Sequence, residues 1–229
     1  MKKIMDPKLL ADYSTLDFIK KLFIQNMPSF EIRRYEAKEI VFHEGQEIDG
    51  LYIQVSSRTK ITTSIVTGRA LLLRFCTAVS FMGDVELVQN VEVQSQVSAE
   101  DEVDFLFIDK HYVKSKLFYD VVFLQTLLSG MTYKLQTCTI ASRVNLLASV
   151  ETRFAGYLCT IYNSSHLFGK QVQTSNHQEM ASLIGTSLRH LNRVIEKLSV
   201  ANIIHKEGKR LVVDDWQAIE RISGGLRYE

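Results

Sequence analysis

The chain has 229 residues, 46% of them hydrophobic and 23% charged, with a net charge of +1, which is the composition of an ordinary soluble globular protein with room for one large or two modest domains. No apolar run approaches the roughly 18 residues that span a bilayer, and the opening MKKIMDPKLLADYS lacks the sustained apolar region of a secretory leader, so the expected location is the cytoplasm, away from any membrane. The three cysteines, Cys76, Cys138 and Cys159, are far apart with no C-x-x-C pair, which argues against a disulfide framework or a zinc site and leaves each expected as a buried thiol.

From about Tyr35 to Ile108 the pattern is short and alternating. EIVFHEGQEIDGLYIQV puts Leu51, Ile53 and Val55 on one face, and EVDFLFI does the same with Val103, Phe105 and Phe107. With glycines at 45, 50, 68 and 83 as punctuation, this predicts an antiparallel sandwich or barrel rather than parallel βαβ units.

From about His111 the period changes. Leu117, Val121, Leu124, Leu128, Met131, Leu135, Cys138 and Ser142 recur at alternating spacings of four and three, the heptad seam of a helix that pairs with a second copy of itself. VETRFAGYLCTIYNSSHLFG then reads as another helix running into a polar loop from Asn163 to Gly169, so the carboxyl-terminal module begins near Asn145 to Val150. The sequon at Asn163-Ser164-Ser165 reads as chance in a protein with no export signal.

Residues 170–213 hold seven Lys or Arg against three acids, a basic module on a mildly acidic body. Ser175 with Gln178 three residues later is a capping box and predicts a helix start. Ala181, Gly185, Leu191 and Val194 have the spacing of two short helices crossing at a glycine corner, after which Thr186 or Ser187 caps the second helix. Leu188, Leu191, Ile195 and Leu198 share its core face. Outside remain Arg189, His190, Asn192, Arg193, Glu196 and Lys197, rich in donors for guanine edges and phosphates. IIHKEGKRLVV then reads as a hairpin turning at Glu207-Gly208, with Lys206, Lys209 and Arg210 at its tip, so the whole predicts a winged DNA-binding module.

Together with FMGDVEL near residue 81 and GTSLRHLNRVI near residue 185, this order of parts resembles the Crp/Fnr transcription factors over nearly the whole chain, most of all their YeiL-type branch. The resemblance implies an α+β protein: a cyclic-nucleotide-binding-like β-roll (jelly roll) over 1–115, a dimerisation helix over 116–148 and a winged helix-turn-helix over 149–229. It also implies a homodimer that binds double-stranded DNA and has RNA polymerase as a further partner. The family's recognition helix matches Thr186 to Lys197, where its usual S-R-E-T-V-x-R becomes Ser187-Leu188-Arg189-His190-Leu191-Asn192-Arg193, so only the last arginine is kept. The DNA-contacting set expected is therefore Ser175, Thr186, Ser187, Arg189, His190, Asn192, Arg193, Lys197, Lys206, Lys209 and Arg210.

In cyclic-nucleotide-binding relatives, F-x-G-E-x-[AG]-L is followed by R-[ST]-A, whose arginine meets the cyclic phosphate. Those positions read Phe81 to Leu87, with Gly83, Asp84 and Glu86, and then Gln94-Ser95-Gln96; the adenine-contacting Thr-Ser pair reads Cys138-Thr139. The phosphate arginine is missing, Arg69 and Arg74 are the only nearby substitutes, and cyclic AMP is not the expected effector. No cofactor or metal site is legible, and no G-x-S-x-G, G-x-x-x-x-G-K-[ST], H-E-x-x-H or G-x-G-x-x-G motif supports an enzyme. The alternative left open is a ligand-binding module with no direct role on DNA.

Overall fold

A computed structural model of the chain describes residues 1–24, 27–64, 70–162, 167–208 and 210–228. They fall into two compact units, Met1–Thr63 with Phe75–Lys134, and Ser64–Arg74 with Leu135–Glu229.

The first unit carries the sandwich. Its strands are β1 (Lys2–Ile4), β2 (Glu31–Tyr35), β3 (Ile40–Phe42), β4 (Gly50–Gln54), β5 (Arg58–Ser64), β6 (Ala70–Thr77), β7 (Ser80–Met82), β8 (Gln96–Ala99) and β9 (Val103–Asp109). One sheet has the order β1-β2-β9-β4-β7 and the other β3-β8-β5-β6; the unit boundary falls within β6. The described pairings are antiparallel.

The alternating pattern implied one buried face per strand, yet β4 is buried along its whole length and β9 along all but Asp109. Both faces are covered: Leu51 and Ile53 join the core, while Tyr52 packs edge-on against Phe42, Phe105 and Phe107. Gln54 is tolerated inside because its amide donates to the carbonyls of Ser56, Ser57 and Cys76 while its oxygen accepts from Thr59. Arg33 lies over the Phe107 ring, 3.3 Å from its centroid, and pairs with Glu31 and Asp49 at 2.7 and 2.6 Å, so its buried charge is met. Burial pushes the neighbouring Tyr52 hydroxyl well above its ordinary range.

Helices α1 (Pro7–Ser14), α2 (Asp17–Leu22), α3 (Asp84–Gln89) and α4 (Lys110–Ser115) close the sandwich, followed by a 3-10 turn at Leu117–Tyr119 and the long α5 (Val121–Leu147). Asp120 starts α5, its carboxylate accepting from the N–H groups of Val122 and Phe123 at 2.9 and 3.1 Å. Two residues of the predicted seam are therefore placed differently. Leu117 lies before the helix and is fully buried, and Met131 is partly buried against the unit's own core, which takes Phe123 and Leu127 from the same helix. Val121, Leu124, Leu128, Leu135 and Cys138 are exposed, Leu128 at 63% and Leu135 at 68%.

The second unit continues with α6 (Val150–Tyr162), α7 (Leu167–Val172), α8 (His177–Leu183), α9 (Leu188–Val200), β10 (Ile204–Glu207), β11 (Arg210–Val213) and α10 (Trp216–Ser223). The sequon lies outside the described residues, and the predicted loop gives way to α7 from Leu167 onward. Gly169 marks close packing there: a Cβ would stand 2.7 Å from the Thr160 carbonyl of α6. Among the described residues no helix is long and apolar enough to cross a membrane.

Candidate nucleic-acid interface and sensor site

Helices α8 and α9 form the predicted corner, but its start differs. Asn176, not Ser175, caps α8, its side chain accepting from the Gln178 N–H at 2.9 Å. Thr174 fixes the choice: its hydroxyl donates to Glu179 at 2.6 Å and accepts from the Asn176 N–H at 3.1 Å, which leaves Ser175 exposed beside the helix. The corner is Gly185, whose φ of +62° is open to glycine at little cost. The Thr186 N–H then returns to the Ala181 carbonyl at 2.8 Å. Arg153 of α6 satisfies the end of α8, donating to the carbonyls of Ile184 at 2.8 Å and Gly185 at 3.1 Å.

Ser187 caps α9 by accepting from the His190 N–H at 3.2 Å. Leu191, Val194, Ile195 and Leu198 are buried on one side of α9, with Leu188 half-buried. Arg189, His190, Asn192, Arg193, Glu196 and Lys197 are all exposed on the other. Thr186 is half-buried at the corner. Among the described residues Arg189 and Arg193 have no hydrogen-bond or ion-pair partner, whereas Lys197 pairs with Glu151 of α6 at 2.6 Å. The wing follows as an antiparallel hairpin in which Glu207 faces Arg210, with Gly208 at φ +60°. Lys206 and Arg210 are exposed; Lys209 lies outside the described residues.

The hairpin and α9 enclose an open groove of about 740 Å³ lined by His177, Asn192, Glu196, His205, Lys206 and Asp214 among others. A smaller cavity of about 270 Å³ beside it is lined by Ser175, His177, Lys206, Gly208 and Arg210. Cations on the wing, donors on α9 and a helix start thus converge on one side of the module, a composition suited to a phosphate backbone and base edges. His177, His205 and Asp214 belong to it and were not read from the sequence, where isolated histidines carry no spacing signal.

In the first unit the turn from β7 into α3 passes through Gly83, at φ +81°, where a Cβ would stand 2.8 Å from the Gly50 carbonyl. Asp84 follows and is buried, with both carboxylate oxygens on Lys134 Nζ of α5 at 2.7 and 2.8 Å. Lys134 was not among the residues read from the sequence, since a pair fifty positions apart leaves no local pattern. Glu86 accepts from the Gln94 N–H at 3.3 Å, and the Gln94 amide turns back to the Glu92 carbonyl at 2.8 Å. Ser95 is half-buried alongside. Lys134 thus neutralises Asp84.

Cys138 and Thr139 lie in the second unit and are exposed, so Cys138 is not the buried thiol expected of it; Cys76 and Cys159 are buried. Arg74 belongs to the second unit as well. Its guanidinium donates to Thr137 at 2.8 Å and to the Cys138 sulfur at 3.2 Å and sits over the Phe168 ring, all within its own unit. Arg69 lies outside the described residues.

A β-roll with a helical turn after its seventh strand, a long helix and a winged helix-turn-helix define the class of effector-domain DNA-binding proteins. The sequence matches the cyclic nucleotide-binding domain over residues 32–120 and the Crp-like helix-turn-helix domain over residues 152–222. The chain belongs to the Crp/Fnr superfamily. It is 22% identical over 177 residues to the regulatory protein YeiL of Escherichia coli O157:H7, covering 77% of this chain and 78% of that one. It is 23% identical over 189 residues to the cAMP-activated global transcriptional regulator CRP of Salmonella typhimurium, covering 80% and 89%. Among solved structures it is similar in fold to a CRP-family regulator of Thermus thermophilus, with TM-score 0.67, 16% identity, and 86% and 100% covered. The c-di-GMP responsive regulator CLP of Xanthomonas campestris gives TM-score 0.69 at 22% identity, with 80% and 93% covered.

Proposed function

We propose that the protein is a homodimeric, sequence-specific transcription regulator of the Crp/Fnr type, with residues 1–115 as sensor, 116–148 as dimer helix and 149–229 as the DNA-binding part. The observation that carries this reading is α9, whose apolar face is buried while Arg189, His190, Asn192 and Arg193 stand exposed beside a wing with Lys206 and Arg210. Arg189 and Arg193 read base edges; Ser175, Thr186, Ser187, Lys206, Lys209 and Arg210 hold the phosphates on either side. The exposed stripe Val121, Leu124, Leu128, Leu135 and Cys138 pairs with the same stripe of a second copy. A ligand-binding module with no role on DNA leaves both the bare α9 arginines and the basic wing without purpose.

The protein works in the cytoplasm and meets RNA polymerase at its promoters, and it is not an enzyme. Its effector is not cyclic AMP: a cyclic phosphate leaving water needs a cation or several donors, and Gln94 supplies only an amide already turned to Glu92. Selection from randomised duplexes tests the function. The expected product is a two-fold symmetric site with half-sites about one helical turn, or 34 Å, apart. Failure to enrich any sequence would refute the reading.

A further inference from the structure

Two histidines, His177 and His205, line the groove beside α9. His205 Nδ1 lies 2.9 and 2.8 Å from the two carboxylate oxygens of Asp214. An ionised carboxylate only accepts, so Nδ1 carries the hydrogen. The pairing orients the ring and leaves Nε2, which has no partner among the described residues, as its second polar atom. Both side chains are about half exposed, and both line the groove with Asn192 of α9 and Lys206 of the wing.

We infer that His205, oriented by Asp214, is a phosphate contact of the module and that DNA binding takes up a proton there. The inference rests on the DNA-binding reading above. In a neutral ring Nε2 holds a lone pair and has nothing to donate to a phosphate oxygen. Protonated, it becomes a charge-assisted donor. At the same time the imidazolium cancels the Asp214 charge, which otherwise stands in the groove and repels the backbone.

Histidine is the side chain that changes charge near neutral pH, and a ligand that prefers the charged form draws protons on as it binds. The other charged groups of the groove act on this balance in known directions. Glu196 of α9 favours the charged ring, while Lys206 of β10 and a protonated His177 of α8 oppose it. Arg210, in the adjoining cavity, opposes it from farther off. A phosphate placed between these cations offsets their repulsion and favours the charged ring further, so binding DNA draws the proton on. The sign is therefore fixed: affinity rises as pH falls.

The test is fluorescence anisotropy of the full chain on its selected duplex between pH 6 and 8.5 at constant ionic strength. Affinity should rise toward acid pH, by at most about tenfold per unit for one proton. His205→Gln keeps a neutral donor but not the charge. It should bind about tenfold more weakly than the wild type at pH 6 and nearly equally at pH 8.5, where equal binding also reports an intact fold. Asp214→Asn should flatten the profile in the same direction, while His177→Gln and His190→Gln should each keep most of the slope. A His205→Gln profile parallel to that of the wild type, or a loss equal at all pH values, overturns the inference. A chain that binds no duplex at any pH removes the DNA-binding reading itself and this one with it.

Discussion

Lys134 closes on Asp84, placing its ammonium 2.7 and 2.8 Å from the two carboxylate oxygens and 3.0 Å from the Phe81 carbonyl. Asp84 is only 3% exposed, and the lysine reaches it from α5 within the same unit. A buried carboxylate costs several kcal/mol unless its charge is met, and here the chain meets it with its own cation. Lys134→Met should therefore destabilise the first unit by about 2 to 4 kcal/mol, somewhat below a fully buried pair because the lysine is partly exposed. Adding Asp84→Asn should recover most of that loss, since two neutral groups no longer leave a charge stranded. Urea denaturation followed by the ring signals of the aromatic core measures both; a loss under about 0.5 kcal/mol would reduce the pair to a surface contact.

The same arrangement sets an expectation for ligands. Calorimetric titration with millimolar cyclic AMP or cyclic GMP should give no heat of binding, and neither should alter affinity for DNA. Micromolar binding that disappears on replacing Arg69 or Arg74 would reveal a rearranged phosphate site and sink the prediction.

Arg193 and Lys206 should fail in different ways. Arg193→Ala is expected to cost about 1 to 3 kcal/mol on the selected site and to relax base preference at one position. Lys206→Ala should weaken specific and random duplexes alike and lower the slope of log affinity against log salt by about one unit. Lys197→Ala should do little, because its ammonium is already paired with Glu151. Salt titrations on both duplex types separate the three; an equal loss on every sequence for Arg193→Ala would refute its role as a base reader.

The parts most legible in the sequence are those whose hydrophobic period is local. The change from alternation to a heptad near His111 located the sandwich and the long helix, and Gly185 with Thr186 or Ser187, of which Ser187 is the cap, marked α9 and its corner because cap and glycine chemistry act within four residues. What was missed depends on distant partners. Ser175 and Asn176 are both good caps, and the Thr174 to Glu179 bond decides between them. Leu117 fits the heptad by spacing, yet Asp120 starts the helix after it and the core takes it in. Lys134 and Arg74 carry no signal in one dimension, since each is placed by a residue fifty or more positions away.

The exposed stripe of α5 should hold the dimer together off DNA. Leu128 and Leu135 are largely exposed, and on an unpaired helix they would form a stripe that soluble monomers rarely show. The wild type should sediment as a dimer at micromolar concentration. Leu128→Glu should yield a monomer that has lost operator binding while the second unit keeps its fold, because Leu128 belongs to the first unit. Met131→Glu is a harsher change, since Met131 also packs on its own core and should lose stability as well as partner. Cys138 lies on the same stripe, so in the proposed dimer of parallel helices it faces its counterpart. Mild oxidation should then link two chains through Cys138 alone, since Cys76 and Cys159 are buried and burial pushes the Cys159 thiol up. Cross-linking that survives Cys138→Ser, or a wild type that sediments as a monomer, would show that α5 does not pair along this stripe.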